Sequence, residues 1–211
     1  MTPEYLKQLL LPVTDLLTEN MAYLTELDSV TGDGDHGVSM GKIAEMIRKT
    51  MNELRGEENV AEVLDDLSWN LMNVNGGSAG PLWGSFFEGM SQGAAKVAKD
   101  DLDQLKNMLI KAEESFYEVS KANVGQKTMM DAIAPATKVI RDSDENIEVL
   151  AEKMASAAAA GAEETVNMIA KFGRAKSLKE KSIGHKDPGA VSFSLFYKGI
   201  AIGLQKQKEE V

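Results

Sequence analysis

Three aspartates, Asp28, Asp33 and Asp35, fall within eight residues of one another in the stretch Leu27 to Gly37, Leu-Asp-Ser-Val-Thr-Gly-Asp-Gly-Asp-His-Gly, where they alternate with glycines. Carboxylates crowded this closely repel one another unless a cation lies between them, so an ordered arrangement implies a bound metal. Short, oxygen-only ligands favour a hard cation, Mg²⁺ or Ca²⁺, over zinc or copper. The glycines permit backbone conformations in which successive N–H groups form a concave anion site. A metal beside such a nest is the equipment for a polyphosphate. The plainer alternative is an Asp/Gly turn in which Asp35 caps the next helix.

Three better-known motifs fail on inspection. Gly32, Gly34 and Gly37 fit G-x-G-x-x-G, but the dinucleotide fingerprint follows a buried strand, and Met21 to Leu27 has helical spacing. A calcium loop counted from Asp33 would need glycine at 38 and glutamate at 44, where Val38 and Ala44 stand. Gly125-Gln126-Lys127-Thr128 has the lysine of a phosphate loop without its glycine pair, since Gln126 precedes Lys127 and the residue five before Gly125 is Ser120.

Two other stretches have the composition of anion sites. Gly76-Gly77-Ser78-Ala79-Gly80-Pro81 is a turn of small residues running into a helix, suited to a phosphate or, more blandly, to tight interhelical packing. Residues 173–189 carry Arg174, Lys176, Lys179, Lys181 and Lys186 in an acidic chain, which reads as an anion-facing segment or as a solvated charge run. His36 and His185 both lie in glycine-containing loops, a setting that favours ligand contact over core packing.

The elements that must position these residues read as helices throughout. Thr2 and Pro3 open a first helix that Pro12 kinks or interrupts, and a second apolar run, Val13 to Leu27, leads into the aspartates. Further helical spacings cover Val38 to Leu54, Val60 to Val74 behind an Asn59/Glu62 capping pair, and Leu82 to Met90. Gly84, Gly89 and Gly93 lower helix propensity there and predict close contact with a neighbour. Leu102 to Val119 follows, then Asp131 to Ile140 with Pro135 inside, and an alanine-rich helix from Ile147 to Phe172 closed by Gly173. Asp187 and Pro188 cap and open a last helix through Leu204. The fold class is therefore all-α, about eight helices in a single domain over residues 1–211. Antiparallel succession would gather the 28–39, 76–81, 123–130 and 173–189 loops at one end.

Composition limits the function classes. The net charge of −10 disfavours nucleic acid and anionic membrane surfaces as partners. The absence of cysteine excludes disulfides, thiolate metal sites and cysteine nucleophiles. No apolar run approaches the ~20 residues of a membrane span, and the first residues lack a basic-then-apolar signal, so a cytoplasmic location is the expectation.

Four segments in this order, Leu-Asp-Ser-Val-Thr-Gly-Asp-Gly-Asp-His-Gly, Gly-Gly-Ser-Ala-Gly-Pro-Leu-Trp-Gly, Gly-Gln-Lys-Thr-Met-Met-Asp and Gly-Arg-Ala followed by Ser-Ile-Gly-His-Lys-Asp-Pro-Gly-Ala, resemble the family of ADP-binding L subunits of bacterial dihydroxyacetone kinase over nearly the whole chain. The resemblance implies an antiparallel eight-helix barrel with ADP and two Mg²⁺ ions at one end. It implies Asp28, Asp33 and Asp35 as metal ligands, and His36, Gly37, Val38, Ser39, Ser78, Ala79, Met129, Arg174, Asp187, Pro188 and Gly189 along the nucleotide. It implies two half-reactions: a phosphohistidine carrier of the phosphotransferase system converts ADP to ATP, and the ATP phosphorylates dihydroxyacetone on a separate substrate-binding subunit. No residue of this chain is assigned as catalytic. Gln126, Lys176-Ser177 and Lys181 depart from the family's usual Asp, Ser-Tyr and Arg, which bears on the nucleotide grip and the docking surface. Alternatives are the nucleotide module of an ATP-dependent dihydroxyacetone or fatty-acid kinase, and a regulatory module that reports phosphorylation state to a transcription factor. A homodimer is a further alternative.

Overall fold

A computed structural model describes residues 1–75 and 77–209. Among them are nine α-helices and no strand: α1 Pro3–Glu19, α2 Met21–Thr31, α3 His36–Glu53, α4 Val60–Met72, α5 Ala79–Ala94, α6 Asp101–Ser120, α7 Met130–Asp142, α8 Ile147–Glu164 and α9 Pro188–Glu209. Side-chain caps start several of them. Thr2 accepts the N–H of Tyr5, Asn59 that of Ala61, Asp100 that of Asp103 and Asn146 that of Val149.

Eight of the helices close a ring in the order α1, α3, α4, α5, α6, α7, α8, α9 and back to α1, while the short α2 lies on α3 and α9 at one end. Neighbours run antiparallel. Gly199 meets Val13 and Gly203 meets Gln8 and Leu9 across α9 and α1, while Gly89 meets Lys111 and Gly93 meets Asn107 across α5 and α6. The α5 glycines do what their spacing predicts, since a Cβ on Gly89 or Gly93 would stand 2.3 or 2.4 Å from a backbone carbonyl oxygen of α6.

The ring is filled by the apolar faces. Trp83, Phe86 and Phe87 of α5, Phe116 of α6 and Phe193, Phe196 and Tyr197 of α9 are almost wholly buried. Phe193 lies 4.5 Å from Trp83 and 4.9 Å from Phe86, centroid to centroid. Offset and edge-on aromatic pairs of this kind add about 0.5–1.5 kcal/mol each to their area burial. Trp83 Nε1 is the one buried side-chain nitrogen or oxygen without a hydrogen-bond partner among the described residues. The ring system earns its place by volume, against roughly 1–3 kcal/mol for the stranded donor.

Two helix boundaries differ from the sequence reading. Pro12 does not interrupt α1; it is buried, and the break falls at Asn20, whose side-chain amide donates to the Leu16 carbonyl. A proline deletes one helical hydrogen bond, and packing against α9 holds the turn together. The alanine-rich helix stops at Glu164, well short of Phe172, and is followed by a single 3₁₀ turn, Thr165–Asn167. Tertiary bonds end it: the Thr165 carbonyl and hydroxyl are both engaged by other loops, and Gly184 N–H donates to Val166. No helix among the described residues is long and apolar enough to cross a membrane.

Candidate functional site

The antiparallel ring puts the starts of α3, α5, α7 and α9 at the same end. There a cavity of about 480 Å³ is lined by Asp28, Asp33, Asp35 and His36, by Gly77, Ser78 and Ala79, by Lys127, Thr128 and Met129, and by Arg174 and Asp187 to Gly189. All four loops expected to converge do so. Gly76 lies outside the described residues.

The carboxylate triplet is built by one short excursion of the chain. Asp28 sits in the last turns of α2, and one of its oxygens accepts the N–H of His36 at 3.1 Å, tying the end of α2 to the start of α3. The other oxygen faces Gly32, where a Cβ would lie 2.1 Å away and would displace the Asp28 carboxylate. Gly34 takes φ 78°, a conformation that glycine adopts without strain, and brings Asp33 and Asp35 back beside Asp28. One ligand oxygen from each of the three then lies within 4.8 Å of the others. Three convergent carboxylates fit a hard divalent cation, in donor type and in charge. Arg174, from the basic loop, forms an ion pair with Asp33.

The four helix starts add a second electrostatic feature. The positive ends of four helix dipoles face the cavity from four directions, which favours several negative charges at once. Ser78 precedes α5 without a side-chain capping bond, leaving its hydroxyl uncommitted to the helix. Opposite in character are Leu82, Phe116, Val119 and Phe172, an apolar section of the lining that the sequence reading did not assign to the site. It comes from faces whose helical periodicity reads simply as core.

His36 has two roles. Its ring lines the cavity, yet it is buried and its Nε2 lies 3.2 Å from Ser192 Oγ on α9. Burial pushes its pKa down to about 4, against the opposing pull of the Asp28 carboxylate, so the imidazole is neutral near pH 7. Asp187 caps α9 by accepting the N–H of Ala190 at 2.7 Å. Burial pushes its pKa up to about 7; Ala190 N–H counters this, and the Asp131 carboxylate adds to it. Met129 packs on Gly189, where a Cβ would come 2.6 Å from Met129 Cγ.

Gly37, Val38 and Ser39 do not line the cavity. Gly37 is pressed against the Met21 carbonyl, Val38 is 50 % exposed and Ser39 is buried with its N–H on the Asp35 carbonyl. They form the first turn of α3, so only their backbone dipoles bear on the site. His185 offers its carbonyl, to Lys127, and its ring is not part of the lining. Gln126 supports its own loop: Oε1 accepts the Asn123 N–H at 2.7 Å, and its carbonyl accepts that of Lys171. Lys176, Ser177 and Lys181 are exposed, and Ser177 donates to the Arg174 carbonyl.

The sequence placed the 123–130 loop at this end but assigned neither Lys127 nor Asp131 to the site. Asp131 is buried and accepts the N–H of Gly125 at 2.5 Å and that of Thr128 at 2.7 Å, folding the Gly-Gln-Lys-Thr stretch around itself. Burial raises its pKa, with those N–H groups opposing. A lysine and an aspartate four apart at the start of an otherwise apolar helix were the available signal.

Comparisons with known proteins agree on one family. The sequence profile described as DAK2 domain matches residues 30–202. The chain is 37 % identical over 196 residues to "PEP-dependent dihydroxyacetone kinase 2, ADP-binding subunit DhaL" of Listeria innocua, covering 90 % of both chains. It is 35 % identical to "PTS-dependent dihydroxyacetone kinase, ADP-binding subunit DhaL" of Lactococcus lactis, covering 86 % of this chain and 88 % of that one. Among solved structures it is similar to the dihydroxyacetone kinase from C. freundii in complex with AMP-PNP and Mg²⁺, with TM-score 0.72 and 26 % identity, covering 92 % of this chain and 33 % of that one.

Proposed function

The chain belongs to the DAK2 domain family, and from that premise we propose that it is the ADP-binding subunit of a phosphoenolpyruvate-dependent dihydroxyacetone kinase. ADP held at the loop end accepts a phosphoryl group from a phosphohistidine carrier, and the ATP formed phosphorylates dihydroxyacetone on a separate substrate-binding subunit. The observation that carries this reading is the convergence of three carboxylates and four helix N-termini on one cavity with an apolar side. Phosphoryl transfer needs positioning and charge neutralisation more than covalent chemistry from the protein, and this end is equipped for both.

In this reading Asp28, Asp33 and Asp35 hold two Mg²⁺ ions, which when bound neutralise phosphate charge. The starts of α3, α5, α7 and α9 turn N–H groups and positive dipole ends toward the phosphates. His36 to Ser39 contribute through the first turn of α3, and Ser78 and Ala79 through a hydroxyl and a small side chain that allow close approach. Arg174, already paired with Asp33, supplies a planar cation beside the carboxylates. Leu82, Val119 and Phe172 with Met129 and Gly189 suit the flat, apolar faces of a nucleobase. His36 is committed to Ser192 and neutral, so it is a poor candidate for capturing a ketose.

A second reading, the nucleotide module of an ATP-dependent kinase, has in its favour the C. freundii kinase, of which this chain spans about a third. One experiment separates the two. The isolated chain, given ATP, Mg²⁺ and dihydroxyacetone, should form no product at a catalytic rate. Adding a substrate-binding subunit should start turnover, and sustained turnover should require a phosphohistidine donor. Sustained turnover on ATP alone would favour the second reading, and product from the isolated chain would overturn the subunit assignment.

A further inference from the structure

The cavity end contains a buried cation to which the reading above gives no task. Lys127 is 2 % exposed and takes a left-handed backbone, φ 60°. Its ammonium donates to the Thr165 carbonyl at 2.5 Å and to the His185 carbonyl. A lysine is seldom buried unless polar partners replace its water, and a left-handed non-glycine residue persists only where its surroundings hold it. The acidic groups acting on this ammonium are Asp187 and Asp131.

Three separate segments meet at that nitrogen: the loop before α7, the turn after α8 and the end of the basic loop. Thr165 passes the constraint onward, because its hydroxyl accepts the N–H of Asp187 at 2.9 Å, and Asp187 then caps α9. On the other side Lys127 stands two residues before Met129, which is packed on Gly189. Met129 and Asp187 to Gly189 thus form one section of the cavity lining, and Lys127, itself part of that lining, ties the section together through its ammonium. The carboxylate triplet lies at the α2–α3 junction and, among the described residues, bonds to none of Lys127, Thr165 and Asp187; its tie to the basic loop is Arg174 on Asp33.

We propose that Lys127 is a positioning residue, a buried ammonium that clamps the 165–167 turn and the 185–189 segment to the 127–129 loop and thereby shapes the cavity to retain a nucleoside diphosphate. The clamp rests on the nucleotide reading of the site. It requires no contact between Lys127 and the ligand, and its signature is slow nucleotide release with an independent metal triplet.

The test follows release of a fluorescent ADP with Mg²⁺ after a chase with unlabelled ADP, alongside Mn²⁺ binding to the nucleotide-free protein. Lys127→Met should speed release tenfold or more and leave Mn²⁺ affinity within twofold. Thr165→Val, which removes the acceptor for Asp187 N–H, should also speed release. Because the chain has no cysteine, Lys127→Cys can be alkylated selectively in denaturant and refolded. Aminoethylation restores an ammonium at lysine length and should bring release within threefold of wild type; capping the same thiol with a methylthio group should not. If Lys127→Met fails to fold, the two modified forms of Lys127→Cys carry the comparison. Wild-type release from Lys127→Met, a parallel loss of Mn²⁺ affinity, or no advantage of the aminoethyl over the methylthio form would each overturn the clamp. A wild-type protein that binds Mn²⁺ but no ADP would instead overturn the nucleotide reading.

Discussion

In the middle of the ring, Trp83, Phe86, Phe193 and Phe196 stack or meet edge-on and exclude water, and no charged side chain is among them. At the loop end, the buried groups include Lys127, Asp131 and His36, each held by backbone or side-chain polar atoms. The first region is assembled by non-directional burial, which tolerates small shifts and contributes most of the free energy of folding. The second is assembled by directed bonds between loops, which contribute little net stability each but fix where charge sits. The difference divides the labour: changes in the aromatic centre should cost folding, and changes at the loop end should cost ligand.

The largest expected effect belongs to the centre. Phe193→Ala leaves a cavity against four aromatic rings and should destabilise the protein by about 3–5 kcal/mol, read by urea denaturation. A loss below about 1 kcal/mol would mean that the centre is not the stabilising region. Next comes the triplet: Asp33→Asn or Asp35→Asn, or removal of Mg²⁺ with a chelator, should weaken ADP binding by about a hundredfold, roughly 2.7 kcal/mol. The ligand-free variants should unfold within about 0.5 kcal/mol of wild type, as exposed positions do. Retention of nucleotide by both variants in a Mg²⁺ titration would dissolve the metal assignment. A smaller effect separates two cations of one loop. Arg174→Ala should slow phosphoryl transfer or loosen ADP by about tenfold, and Lys179→Ala by less than twofold, since Arg174 pairs with Asp33 and Lys179 is exposed. Equal kinetics would mean that the loop acts through bulk charge.

The smallest effect lies outside both regions. Burial raises the pKa of Glu113 although Arg141 bonds to it. The folded state then holds its proton more tightly than the unfolded chain does, so its stabilising contribution is present in acid and is lost as pH rises from the unfolded value through the raised one. Glu113→Gln should flatten that decline in stability, measured by denaturation across pH 4–7; an unchanged slope would exclude Glu113 as its source.

The all-helical class, the run of apolar faces and the aspartate cluster were legible in the chain because each rests on local spacing. A period of 3.6 shows wherever a helix has one buried face, and three carboxylates among glycines are conspicuous whatever surrounds them. The gathering of four loops at one end also followed from counting helices, since antiparallel neighbours leave little choice of topology. Helix ends did not follow. Pro12 looked like a kink or break, but it lies buried within a continuous α1, while α8 stops before Thr165 because Lys127 and Asp187 engage that residue from far along the chain. Local propensity is worth tenths of a kcal/mol per residue, and such long-range contacts outweigh it.

Residue types and spacing by themselves therefore determined that this chain is helical, that Asp28, Asp33 and Asp35 belong together, and that the basic loop and the small-residue turn share their end. Only the tertiary structure decided that His36 is turned toward Ser192, that Gly37 and Ser39 are buried within their helix packing, and that Leu82, Val119 and Phe172 face the cavity. It alone turned Lys127 inward to carbonyls 38 and 58 residues away. The physical reason is that a side chain's chemistry is local, whereas its direction and its solvation depend on which distant segments the closed ring brings against it.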